Sequence, residues 1–240
     1  MNETADEQFD ELIERSSLGA SGARRLRERT PQPRIDEVRR IQRDHRVMSA
    51  AERVADRRER LIAAAYTLFA QPGFHATTIE RLCATARISG RAFYECFTSR
   101  EDLMRAVYER CVEETLASVM EVIEAAPPTQ DDRIAAGIGE YIRFVTKDVR
   151  RARIMHLEVR RAGNVLTGAR QQAVEAFAKV IQGTVQDVPK QPSPDIHMLT
   201  LGLIGAITEL ILEWVTADPA PPVEGLIDVA LHIFRRTLAF

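Results

Sequence analysis

The chain has 240 residues, 45% of them apolar and 28% charged, and a formal net charge of −2. This length and balance fit a soluble globular protein of one or two domains with a substantial buried core. Its cysteines, Cys83, Cys96 and Cys111, are odd in number and lack CxxC spacing, which argues against a disulfide framework or a zinc site and for a reducing cytosol.

Charge is unevenly distributed. Residues 1–14 carry six acids and no base, residues 15–104 carry 18 arginines against 11 acids (net +7), and residues 105–240 carry 15 bases against 18 acids (net −3). A phosphate-binding surface concentrates basic charge in this way, and so does a solvated charged face.

Residues 1–48 read as an accessory, disordered segment, with an acidic tip, an Arg-rich middle and few large apolar residues. Turn-forming runs occupy 16–22 and 30–33, and Ile35, Val38 and Ile41 allow a transient basic helix. The arginines either grip phosphate beside the main site or do nothing specific. The N-terminus has no apolar h-region, so no secretory signal is expected and the location read is cytoplasmic.

Residues 49–104 form the first folded domain. Ser49 and Glu52 make a capping box for a helix running to Ala70, with Leu61, Ala65, Leu68 and Phe69 inward and Arg53, Arg57, Arg58 and Arg60 outward. Pro72-Gly73 ends it. Thr77-Thr78-Ile79-Glu80 is a second capping box opening a short helix. Ala86-Arg87-Ile88 is the turn, and Ser89 caps a helix from Gly90 to about Phe97. Phe93 and Phe97 lie at i, i+4 and pack inward, leaving Arg91, Tyr94 and Glu95 outward. Ser99 caps a long helix to about Ala125, which Pro127-Pro128 stops. Two short helices about a tight turn, roughly 78–97, form a helix-turn-helix whose second helix fits the major groove.

The span from about Arg57 to Val112 resembles the DNA-binding domain of the TetR family of repressors. The matching pieces are Arg60-Leu61-Ile62-Ala63-Ala64-Ala65 with Leu68-Phe69, then Gly73-Phe74, Thr77-Thr78-Ile79, Ile88-Ser89, Phe93-Tyr94-x-x-Phe97 and Ser99-Arg100-Glu101-x-Leu103. The resemblance implies phosphate contacts by Thr78, Tyr94 and Arg100, and approach to base edges by Ser89, Gly90, Arg91 and Ala92. Against these stand a packing role for Tyr94 and a solvated Arg91. The chain departs from the family at Arg87, where glycine is usual in the turn, and at Gly90, where Lys or Arg is frequent. Base reading is therefore expected to rest on Arg91 and Ala92.

Residues 105–240 read as a helical bundle, with helices expected at about 130–147, 149–161, 164–188, 193–217 and 223–239. Ser193-Pro194 is the expected cap and first residue of the fourth. The fold class is all-α. The apolar run 196–215 raises a membrane-spanning question, but His197, Glu209 and Glu213 argue for a buried helix, since central acids cost roughly 2.5–3.5 kcal/mol each to insert. That helix is apolar nearly all round: Ile196, Leu199, Leu203, Ile207, Leu210 and Trp214 form one stripe and Met198, Leu201, Ile204, Ile211, Leu212 and Val215 another. With Gly202, Gly205 and Ala206, and with Leu226, Val229, Ile233 and Leu238 on the last helix, it suits half of a four-helix homodimer interface. Burial within one subunit is the alternative.

The resemblance further implies a pocket for a small effector inside this bundle. The candidates are Tyr141, Phe144, Met155, His156, Phe177, Met198 and Trp214, with Glu158 and Glu209 as polar members, each alternatively core or interface. Arg150, Arg151 and Arg153 face the DNA-binding domain, an anionic ligand, or solvent. The expected function is a homodimeric repressor on a palindromic DNA operator, released by a hydrophobic ligand. The alternatives are a ligand-independent activator, an architectural DNA-binding protein, and a helical-bundle enzyme. For the enzyme there is no HExxH, paired ExxH, Gly-rich phosphate loop or nucleophile elbow, and the five histidines are scattered. No cofactor or metal is expected.

Overall fold

In the computed structural model, which describes residues 49–184 and 195–238, every regular element is helical. Helix α1 (Ala50–Leu68) opens on the expected capping box. Glu52 N–H donates to Ser49 Oγ at 3.1 Å, and Ser49 N–H donates to the Glu52 carboxylate at 2.7 Å. The chain then kinks over Phe69–Gly73, where Gln71 is extended and Gly73 has φ +115°, a conformation that favours glycine.

Helices α2 (Ile79–Ala86) and α3 (Gly90–Cys96) pack on α1 through Leu61, Ala65, Leu82 and Phe93, all fully buried. The second cap falls one residue later than the sequence suggests. Thr78 accepts from Arg81 N–H, while the buried Thr77 hydroxyl bridges the carbonyls of Leu68 (3.0 Å) and Gly73 (2.9 Å). Two adjacent threonines compete for the cap, and the one that can tie the preceding loop is drawn inward.

Helix α4 (Arg100–Ala125), capped by Ser99 as expected, carries Leu103, Met104 and Val107 into this first core. Its later turns lie along α5 (Gln130–Lys147), the most extensive helix pairing in the molecule. A Cβ on Gly137 would come within 2.9 Å of Ile123, so glycine allows the close approach.

Residues 149–161 form α6. It is α-helical at Val149–Ala152 and Val159–Arg161 but widened to a π-helical segment at Arg153–Glu158. A short 3₁₀ turn, Gly163–Leu166, leads into α7 (Thr167–Thr184); the expected end at 188 lies outside the described residues. Helix α8 (Ile196–Thr216) is capped by Asp195, whose carboxylate accepts His197 N–H at 2.9 Å; the expected cap Ser193 lies outside the described residues. Helix α9 (Val223–Leu238) closes the bundle against α5 and α8 and is pinned by a bidentate Arg235–Asp131 pair at 2.7 and 2.8 Å.

Candidate nucleic-acid interface and ligand cavity

The turn between α2 and α3 ends α2 with paired bonds, Ile88 N–H to Cys83 O at 3.0 Å and Arg87 N–H to Ala84 O at 3.2 Å. Arg87 sits in the left-handed region at φ 55°, ψ 51°, the position usually held by glycine. The Arg60 guanidinium donates to the carbonyls of Ala86 and Arg87 and holds this turn from α1. Arg57 pairs with Glu95 at 2.7 Å, and Arg58 donates to Cys96 O at 3.3 Å while lying over the Phe97 ring at 4.3 Å. Three arginines of the expected solvated face are thus braces for the reading helix. Their spacing along one helical side was visible in the sequence; their partners, about 26 to 38 residues away, were not.

Thr78, Ser89, Gly90, Arg91 and Tyr94 are exposed. Ser89 Oγ caps α3 by accepting from Ala92 N–H at 3.2 Å, and like Thr78 it keeps an O–H free to donate onward. The Arg91 side chain is 93% exposed and has only a long 3.6 Å contact to Glu95. Tyr94 is 62% exposed, its ring edge-on to buried Phe93. Gly90 has no atom within 4 Å of where a Cβ would stand, so it leaves an open gap on the presented face.

Two expected contacts move inward. Ala92 is buried because it follows the same face as Phe93, so it offers little to a base edge. Arg100 donates to Thr77 O at 3.0 Å, pairs with Glu101 at 3.3 Å and stacks on Phe74 at 4.3 Å, so its donors brace the loop before α2.

Inside the bundle, α4, α5, α7, α8 and α9 border about 610 Å³ of empty space, part of it open to solvent. Its walls are Val119, Ile123, Ile134, Gly137, Ile138, Tyr141, Phe177, Val180, Ile181, Ile204, Ile207 and Phe234, with Arg133 and Thr184 as polar members. A second space of about 460 Å³ shares Tyr141, Phe177 and Ile204 with the first, and reaches Tyr108, Met155, His156, Arg160 and Arg170. His156 is buried, so its pKa is lowered to about 3 by loss of hydration, with the Arg160 charge adding to it; its neutral ring meets Tyr141 Oη at 3.4 Å. Burial likewise pushes the Tyr108 phenol up to about 12.

Of the expected pocket residues, Tyr141, Met155, His156 and Phe177 line these spaces. Five do not. Phe144 lies under the Arg151 guanidinium at 4.0 Å, and Met198 is 63% exposed. Glu209 pairs with Arg160 at 2.8 Å on the surface, and Trp214 donates to Pro221 O at 3.0 Å. Glu158, fully buried, accepts Phe74 N–H at 2.8 Å and pairs with Arg161 at 3.0 Å. The wall residues missed from α4, α5 and α7 are ordinary aliphatic positions, which periodicity marks as inward without distinguishing core from cavity.

The π-helical segment of α6 touches both regions. Met155 and His156 face the second space, while Arg153 donates to Ala70 O at 2.8 Å and Glu158 holds Phe74. Arg150 grips Asp148, lowering that carboxyl to about 2, and Arg151 pairs with Glu114 at 3.2 Å. The arginine run therefore knits α6 to its neighbours.

A short exposed helix presented after a tight turn, braced from behind and attached to a helical bundle, defines a helix-turn-helix module. Residues 61–107 match the family model described as bacterial regulatory proteins, tetR family. Residues 61–107 are accordingly similar to the DNA-binding domain of that family, and the relatives that the chain matches over most of its length are described as regulators. It is 27% identical over 187 residues to the HTH-type transcriptional regulator RutR of Escherichia coli O157:H7, covering 75% of this chain and 82% of that one. It is 19% identical over 162 residues to the fatty acid metabolism regulator protein of Bacillus subtilis (strain 168), covering 66% and 83%. The crystal structure of the transcriptional regulator FadR from Bacillus subtilis in complex with stearoyl-CoA superimposes with a TM-score of 0.65 at 18% identity, over 73% of this chain and 96% of that chain.

Proposed function

We propose that the chain is a homodimeric repressor that binds a palindromic operator and is released by an acyl-chain ligand entering the bundle. Residues 49–104 would read DNA and residues 105–240 would bind ligand and dimerise. The observation that carries this reading is the apolar cavity, because its wall is built from helices that also hold the reading head. Val119 of α4 lines it while Leu103 and Val107 of the same helix pack in the head. The relatives' descriptions, fatty acid metabolism and stearoyl-CoA, favour an acyl ligand over a compact polar one.

The ligand must favour the arrangement that does not bind DNA, by about 1–3 kcal/mol in typical coupling. The π-helical segment of α6 supplies a route: a shift at Met155 and His156 moves Arg153 and Glu158, and with them Ala70 and Phe74 ahead of α2. The test is a gel shift with the full chain and a palindromic fragment from beside its own gene. Binding should weaken steeply with salt and be reversed by a fatty acid or its CoA ester. Binding without sequence preference at any salt would overturn the regulator mechanism, and release by neither acyl form would overturn the ligand.

A further inference from the structure

The main cavity is apolar except at one end, where Arg133 enters it from the first turn of α5. Arg133 Nε is buried and has no hydrogen-bond partner, and the guanidinium makes no ion pair among the described residues. One turn earlier, Gln130 Nε2 is buried and equally without a partner. Buried donors are nearly always satisfied, and leaving one orphaned is costly, more so when it is charged. The nearby carboxylates are not available to it. Asp131 is taken by Arg235 at 2.7 Å, and Asp132 serves the Thr129 cap.

We infer that Arg133 is the anchor for an anionic head group, and that the ligand is an amphiphile whose apolar tail runs from Arg133 toward Tyr141 and Phe177. A carboxylate or phosphate oxygen would accept from Nε and complete the one charged donor in an otherwise apolar chamber. A hydrocarbon of the same length would leave that donor unsatisfied, and a neutral alcohol would offer it an acceptor oxygen without the opposite charge. The tail end then lies where the cavity joins the second space beside His156, whose neutral ring repels no apolar group. Gln130, at i−3 on the same side of the helix, can add a neutral donor to the same oxygen set.

This inference rests on the acyl-ligand reading, and calorimetric titration separates the two. The full chain is titrated with laurate, lauroyl-CoA and lauryl alcohol. At least one anionic form should bind on the order of tenfold more tightly than the alcohol, and Arg133→Met should remove that preference, weakening the anionic form more than the alcohol. Laurate outbinding its CoA ester identifies a carboxylate head; the reverse identifies the phosphates of the ester. Equal affinity for all three in the unaltered protein overturns the anchor while the acyl cavity stands. Binding of none overturns both. Loss of the preference on Arg170→Met, with Arg133→Met retaining it, puts the head at the other end of the cavity and also overturns the anchor. Thermal melting of the variants checks folding, and the preference of the unaltered protein keeps the test decisive if Arg133→Met does not fold.

Discussion

Arg87 occupies a glycine position, and the molecule meets the cost from outside the turn. The left-handed conformation disfavours a side chain by about 1–2 kcal/mol, yet two backbone bonds and the Arg60 guanidinium hold the carbonyls there. Arg87→Gly relieves the conformation without touching the Arg60 contacts to this turn, which are to the backbone carbonyls of Ala86 and Arg87. The expected result is a gain of about 1 kcal/mol, or a rise of about 2–4 °C in Tm for a chain of this size; unchanged or lowered Tm would show that the arginine side chain contributes what its backbone costs. His156 sets a pH dependence. Its imidazole stays neutral in the fold down to about pH 3, whereas an unfolded histidine protonates near 6.5. Below about pH 6.5 the unfolded chain therefore binds a proton that the folded chain refuses, and stability falls by at most about 1.4 kcal/mol per pH unit. Urea unfolding at about pH 7 and about pH 5 should show that loss, and His156→Gln should flatten it.

At the scale of elements, the helices were legible because caps and apolar period are local signals. Ser49, Ser89 and Ser99 all cap where their spacing suggests, and α5 spans the expected 130–147. What was not legible depends on partners distant in sequence. The widening of α6 at Arg153–Glu158 leaves no mark in its apolar period, and Glu158 at its end meets Phe74, 84 residues earlier, and not the cavity. The same segment explains why a buried acid is tolerated: its two oxygens accept from Phe74 N–H and Arg161, and Gly73 leaves room beside it, 3.2 Å from where a Cβ would stand. Glu158→Ala strands a buried N–H and should destabilise by about 1–3 kcal/mol. Glu158→Gln, which keeps an acceptor, should lose less. Chemical denaturation ranks the two, and equal losses would assign the effect to charge alone.

At the scale of the whole molecule, α8 is the element whose surroundings are incomplete. Within the subunit its buried stripe is Thr200, Leu203, Ile207, Ile211 and Val215, and only 28% of its apolar stretch His197–Thr216 is covered. Leu226, expected at an interface, is buried within the subunit, while Val229 on α9 and Met198 on α8 are 47% and 63% exposed. Gly202 and Gly205 have open space where a Cβ would stand, so their smallness has no use inside one chain. A second copy packing its α8 and α9 on this face would use it, because glycine lets helices approach closely and an all-round apolar helix needs cover on both sides. Gly205→Arg discriminates between the readings. It meets nothing within the subunit, so secondary structure should survive, whereas a facing helix cannot accept the added charge and bulk. Sedimentation should then show a dimer become a monomer, and operator affinity should fall by roughly 10²–10⁴ as two linked reading heads become independent. A variant that sediments and binds like the unaltered chain would place the interface on another face.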